Sequence, residues 1–342
     1  MLNNIESLPV EVTEIIFVFS KNTNLSLCSR HLFSVCSLPT NRAKLLLHQL
    51  GLIPTHVIHN LCQPTTTRHL SRNRVSWHTV FEHRLFDSEV AIAIVRLKSF
   101  VDEDYISLLL AWCVSKGILN LIEILYTEKL LSQALLDSAI IDASVNGLSD
   151  VVNLLIIFGA DVHTETDSPI CMAAKYGHLG IVQSLLDAGA DLNAADGFPL
   201  AYSTKNGHIS VVKRLIDNGA DISVRNDVCI KWACEYGYKN IATMFLQHNA
   251  NPTTEECYAL RWASTRGHTD CVKLLLGWPG IIDIHAMDDY ALRQAVKFRH
   301  VDIVRLLCDA GANVHAQNDE AFTWSRLDKS PESKEILELL TR

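Results

Sequence analysis

The chain has no close cysteine pairing, no long apolar run and no catalytic signature, and each absence removes a class of function. Ten cysteines are scattered through 342 residues without a single C-x-x-C pair. Cys229 and Cys234, the nearest neighbours, fall within one helical phrase, so neither a zinc framework nor a disulfide scaffold is expected. Free thiols point to a reducing compartment, hence a cytoplasmic or nuclear, intracellular protein. No stretch of eighteen apolar residues exists to cross a membrane. The start holds Glu6, Glu11 and Glu14 and does not read as a signal peptide. A net charge of −8 argues against general nucleic-acid binding. That charge is uneven, with a balance of +4 over residues 1–75 and −12 over the remainder. Among catalytic motifs, G-x-x-x-x-G-K-[ST], H-E-x-x-H, G-x-S-x-G and G-x-G-x-x-G are all missing, so no enzyme and no cofactor is expected.

What the chain does have is a period. Gly117, Gly147, Gly177, Gly207, Gly237 and Gly267 stand thirty residues apart. Around them recurs one phrase, clearest as Ala173-Ala174-Lys175-Tyr176-Gly177-His178, then Ile181-Val182, Leu185-Leu186 and Gly189-Ala190-Asp191. Such a period means a stack of like units, each burying its apolar side against its neighbours. Each unit reads as two short antiparallel helices. Pro169 suits a first helical turn, and Gly177 breaks that helix. Ile181, Val182, Leu185 and Leu186 form a core-facing stripe. Gly159, Gly189, Gly219 and Gly311 end the second helices in a left-handed residue, with Asn249 as the tolerated substitute.

These phrases resemble the ankyrin repeat. Ser168-Pro169-Ile170-Cys171 stands where that family has Thr-Pro-Leu-His. Gly177-His178, Gly207-His208 and Gly267-His268 match its Gly-His turn, and three Gly-Ala-Asp phrases match its unit end. The resemblance covers residues 76–342, about nine units with imperfect ends, and implies an all-α ankyrin-repeat solenoid of helix pairs. The family period is about 33, so the thirty-residue spacing trims the β-hairpin finger to a tight turn. The family histidine is replaced by Cys171, Ala201, Lys231, Arg261 and Arg293. Its local hydrogen bonds should therefore be mostly absent, leaving the stack to depend more on apolar packing. Gly277-Trp278-Pro279-Gly280-Ile281-Ile282 adds two residues to one unit, either a tolerated loop insertion or a bulge that contacts a partner.

Residues 1–45 do not share the period. Leu8-Pro9-Val10-Glu11 opens an amphipathic helix carrying Val12, Ile15, Ile16 and Phe19, and a second follows from Leu25 to Val35. This segment resembles an F-box, with Leu8, Pro9, Ile16, Leu25, Leu27 and Arg30 in matching places. The tryptophan that family often has after its second helix is absent. The resemblance implies docking to the Skp-type adaptor of a cullin–RING ubiquitin ligase. On the residues alone, the same helices could instead cap the first repeat. Residues 46–75 form a helical linker whose Arg68, Arg72 and Arg74 read as a solvated face.

Two series are candidates for binding an unknown protein target. Five residues before each turn stand Trp112, Asp142, Met172, Tyr202, Trp232, Trp262, Gln294 and Trp324, holding four of the six tryptophans. This position lies on the first helix, toward the concave side the resemblance implies. The rings are either partly buried between first helices or anchors for a ligand. Immediately before the turns stand Lys175-Tyr176, Lys205-Asn206, Glu235-Tyr236, Thr265-Arg266 and Lys297-Phe298, pairs expected to be exposed. Tyr176, Tyr236, Arg266 and Phe298 complete the expected binding set. The turn histidines recur one per unit, too far apart to share a metal, so no metal site is expected. They should bond turn backbone, as Asp161, Asp191 and Asp221 should stabilise the unit ends.

Overall fold

The computed structural model describes residues 91, 92, 95, 103–279 and 282–341. Segments 1–45 and 46–75 lie outside the described residues, and with them Leu8, Pro9, Ile16, Leu25, Leu27 and Arg30. Among the described residues sixteen helices and no strand occur, arranged as eight successive helix pairs. In chain order these are α1 Glu103–Lys116, α2 Leu119–Thr127, α3 Gln133–Asn146, α4 Ser149–Ile157, α5 Thr164–Tyr176, α6 Leu179–Asp187, α7 Ala194–Lys205 and α8 Ile209–Asp217. They continue as α9 Val224–Glu235, α10 Lys239–Gln247, α11 Thr254–Arg266, α12 Thr269–Leu276, α13 Ala286–Lys297, α14 Val301–Asp309, α15 Ala316–Leu327 and α16 Pro331–Leu340.

Packing divides the chain into two compact units. Of the described residues, the first holds 91, 92, 95, 103–143 and 153–160. Its core holds fully buried Tyr105, Leu109, Leu121, Ile122 and Leu125. Tyr126 stacks on Phe158 with ring centroids 3.9 Å apart, and the Gln133 amide donates to the Gly159 carbonyl at 3.0 Å.

The second unit comprises residues 144–152 and 161–342. Its first helices α5, α7, α9, α11, α13 and α15 pack in series as one layer, and the second helices α6, α8, α10, α12 and α14 as another. Each second helix buries an apolar stripe, Ile181, Val182 and Leu185 in α6 and Ile241, Ala242, Phe245 and Leu246 in α10. Leu186 is only half-buried. Complete burial is worth about 1.5–3 kcal/mol per large side chain, and Phe245→Ala would cost about 3–5 kcal/mol.

The shortened fingers take a specific form. Six first helices open with three consecutive left-handed residues, for example Glu165, Thr166 and Asp167 at φ 49, 62 and 58°. Gly197 is the one glycine among these eighteen positions. Left-handed backbone costs a side-chain-bearing residue about 1–2 kcal/mol, so other contacts must hold the turns. Part of that support is an Asx turn repeated in all six: Asp161, Asp191, Asp221, Asn251, Asp283 and Asn313 each accept the backbone N–H two residues on, at 2.9–3.0 Å. The expected stabilising role of the Gly-Ala-Asp carboxylates is thereby given a geometry.

Three turns are also clamped by arginine forks. Arg261 donates to the carbonyls of Glu255 and Glu256, both at 2.8 Å. Arg293 does the same to Met287 and Asp288, while Arg225 reaches back to Ala195 and Asp196 in the preceding turn. The expectation that losing the family histidine leaves the stack dependent on apolar packing is therefore corrected. At positions 231, 261 and 293 longer basic side chains supply other polar links.

Successive units are bonded together as well. Asp167, Asn193, Asp227 and Asp289 accept the N–H of Asp191, Asp221, Asn251 and Asn313, one per following unit. The turn histidines also reach out of their own unit. His178, His208 and His300 bond through Nε2 to the carbonyls of Val145, Lys175 and Thr265 at 3.0–3.1 Å. Each imidazole lies over the turn glycine of the preceding unit, where a Cβ on Gly177 would come within 2.5 Å of His208. Tyr238 covers Gly207 in the same way. The periodic glycines thus satisfy two demands, a positive φ and room for a ring from the next unit.

Candidate protein-binding face

The first-helix layer of the second unit carries both residue series anticipated from the period. Tyr202, Trp232, Trp262 and Trp324 are each half-buried, one per first helix, while Met172 is half-buried and Gln294 buried. In the first unit Trp112 is half-buried and Asp142 exposed. Trp262 lies against Tyr258 of its own helix, with ring centroids 5.7 Å apart. Tyr202 meets Trp232 edge-on at 5.7 Å.

The pre-turn aromatics stand further out. Tyr176, Tyr236 and Phe298 are 46%, 37% and 48% exposed, each stacked at 6.2–6.4 Å on the ring that opens its following helix. Such flat side chains have few rotors left to freeze on binding. Arg266 is exposed but tethered by an ion pair to Glu235 at 3.2 Å.

One expectation for these pairs is corrected: Glu235 is buried, not exposed. It accepts from the Tyr258 hydroxyl at 2.8 Å and from Arg266, which replaces its hydration. Burial and the adjacent Glu235 carboxylate raise the Tyr258 pKa well above that of free tyrosine. Lys231 is also buried, its ammonium 2.6 Å from Glu255. That bond holds the Glu255 carboxyl below its ordinary pKa. Burial, with the Arg266 charge as a smaller contribution, lowers the pKa of His268.

Cations sit across the aromatic rings. Lys205 Nζ lies 5.1 Å from the Trp232 centroid, and Lys297 Nζ the same distance from Trp324. Arg266 lies 5.7 Å from Trp262, and Lys175 5.1 Å from Tyr176. These contacts are within cation–π range. Four of the described cysteines, by contrast, are packing residues: burial pushes Cys113, Cys171 and Cys229 up to about 12 and Cys308 to about 11, so these four stay protonated near neutrality. Among the described residues no group of His, Cys, Asp or Glu could hold a metal ion, and no helix is long and apolar enough to cross a membrane.

The family profile described as ankyrin repeats (3 copies) matches residues 139–226 and 230–318, just over half of the chain. The chain belongs to the ankyrin-repeat family. Among solved structures it is similar to the human ASB11 ankyrin repeat domain, at 26% identity and a TM-score of 0.51, covering 58% of this chain and 96% of that one. No curated protein matches.

The fold is thus an all-α ankyrin-repeat solenoid, a scaffold for protein–protein interaction. In the family's Thr-Pro-Leu-His frame, the positions taken by Lys231, Arg261 and Arg293 adjoin the first-helix rings: Arg261 and Arg293 both lie against the Tyr290 ring, at 5.4 and 5.7 Å. Sequence reasoning missed a second ring set, Phe198, Tyr258 and Tyr290. Its signal was one helical turn of spacing: Phe198 stacks on Tyr202 at 3.9 Å, and Tyr258 sits 5.7 Å from Trp262.

Proposed function

We propose that this chain is the substrate receptor of a Skp–cullin–F-box type ubiquitin ligase. Residues 1–45 dock the Skp-type adaptor through Leu8, Pro9, Ile16, Leu25, Leu27 and Arg30, and the first-helix face holds the protein to be modified. The observation that supports target holding is the row of half-exposed rings, Tyr202, Trp232, Trp262 and Trp324, edged by exposed Tyr176, Tyr236 and Phe298. Tyr and Trp of this exposure are the side chains that dominate protein–protein hot spots. Adaptor docking rests on the F-box resemblance, in which short apolar helices fill a partner groove.

The chain performs no bond chemistry in this role. It raises the effective concentration of target beside the ligase. Co-purification tests the reading: wild type should retain a Skp-type adaptor, and combined Leu8→Ala and Pro9→Ala should abolish retention. If wild type retains none where a known F-box protein does, the receptor role fails. Residues 1–45 then act as a cap on an ankyrin scaffold or effector that has no ubiquitin role.

A further inference from the structure

We infer that the partner held on the first-helix face is an acidic, extended polypeptide segment with carboxylates about three residues apart. The inference rests on the target-binding reading above and adds the chemistry of the target. Its basis is the row of cations at the ends of the first helices. Lys175, Lys205, Arg266 and Lys297 each lie over an aromatic ring at 5.1–5.7 Å. Lys205 and Lys297 use the same device, resting at 5.1 Å on the ring presented by the following unit. None of the three lysines pairs with a described carboxylate within 4 Å, in contrast to Lys231 and Arg266.

A lysine seated on an indole has given up part of its rotamer freedom and still has ammonium N–H groups to donate. It is thereby arranged for an incoming carboxylate. One position breaks the row: Glu235, which Arg266 and Tyr258 already occupy. A ligand residue opposite Glu235 must therefore be neutral.

Spacing selects the ligand's conformation. Packed helices lie about 8–10 Å apart, and an extended polyproline II chain rises about 3.1 Å per residue with three residues per turn, so one repeat matches roughly three ligand residues and every third side chain faces the same row. Carboxylates at relative positions 1, 4, 10 and 13 with a neutral residue at 7 would face Lys175, Lys205, Arg266, Lys297 and Glu235 respectively. This order reads the same in both chain directions. A nucleic acid carries anions of the same sign but fits poorly. The opposite ends of these helices bear exposed Glu165, Asp196, Glu255, Glu256 and Asp288, which repel a broad polyanion and leave a narrow strand its place.

The test uses the full chain and a fluorescein-labelled 13-residue peptide with Glu at 1, 4, 10 and 13 and Ser or Thr elsewhere, read by anisotropy at low and physiological salt. The expected result is saturable, salt-weakened binding. It should fall roughly tenfold when Lys205→Gln and Lys297→Gln are combined, as loss of two charge-assisted contacts implies. An isomer with its four Glu contiguous should bind several-fold less well, and the all-Gln peptide not measurably. Thermal unfolding of the double variant should match wild type, because neither lysine is buried. The inference is overturned if the Gln peptide binds equally, if the contiguous isomer binds as well, if the double variant binds unchanged, or if a single-stranded RNA of equal charge binds more tightly. Failure of every peptide also overturns it. The target-holding reading is judged separately, by cross-linking to a cellular protein from the first-helix face.

Discussion

Replacing Gly177 by alanine examines how the units are locked together. Its backbone is left-handed at φ 81°, and a Cβ there would lie 2.5 Å from His208 Nδ1. Left-handed alanine costs about 1–2 kcal/mol. The His208 ring must also move, stretching its 3.0 Å bond to the Lys175 carbonyl, which is worth about 0.5–1.5 kcal/mol. The expected loss is about 1.5–3.5 kcal/mol. Gly189 is the control: it is left-handed at φ 95° with nothing within 4 Å of an added Cβ, so Gly189→Ala should lose only the backbone part, about 1–2 kcal/mol. Urea unfolding followed by far-ultraviolet circular dichroism measures both. In a double-mutant cycle, His208→Ala should remove most of the excess cost of Gly177→Ala. Equal losses at Gly177 and Gly189, or strict additivity with His208→Ala, would refute the inter-unit lock.

Further outcomes follow from the same geometry. Arg299 occupies a turn-glycine position at φ 63°, and its side chain forms an exposed ion pair with Asp328. Arg299→Gly should therefore gain about 0.5–1 kcal/mol in urea unfolding. Glu255→Gln should destabilise more than Lys231→Met, because it leaves the buried Lys231 ammonium without its counter-charge. On acidification stability should fall in two steps. His268, held below the ordinary 6.5, gives its full contribution above that value and loses it as pH drops through the lower folded value. Asp221, lowered by its bonds from Ser223, and Glu255, lowered by Lys231, contribute fully above 3.8 and 4.5 and lose that contribution at lower pH. A urea midpoint that rises between pH 7 and 5 would contradict the first step. Alanine at Tyr176, Tyr236 and Phe298 should weaken partner binding with thermal unfolding nearly unchanged, since all three rings are exposed; a matching loss of stability would show them to be structural.

The repeat itself was legible because its markers are backbone demands. Gly177, Gly189 and Asn249 all adopt the positive φ their places in the phrase require, and the apolar stripe of Ile181, Val182 and Leu185 is buried. A trimmed finger also followed from the thirty-residue period. Its left-handed form did not, because Glu165, Arg225 and Met287 have no local preference for that backbone and are held there by Asx turns and arginine forks. The polar links between units were hidden for a related reason: Asp167 and Asp191, or His208 and Lys175, are 24 and 33 residues apart. The arrangement of the candidate face was half legible. Trp232 and Trp324 showed in the period, whereas the lysines resting on them come from the preceding unit, and Glu235 looked exposed because Tyr258 and Arg266 also belong to the next unit.

On the proposed function, protein targets are gripped by the first-helix layer and not by the second. A photo-crosslinking residue in place of Trp232 tests it against one in place of Lys213, which is exposed on a second helix. In cells expressing the full chain, the position 232 probe should yield a discrete higher-mass protein adduct that the Lys205→Gln, Lys297→Gln background diminishes, and the position 213 probe should yield none. Adducts from position 213 alone, or equal adducts from both, would contradict the claim.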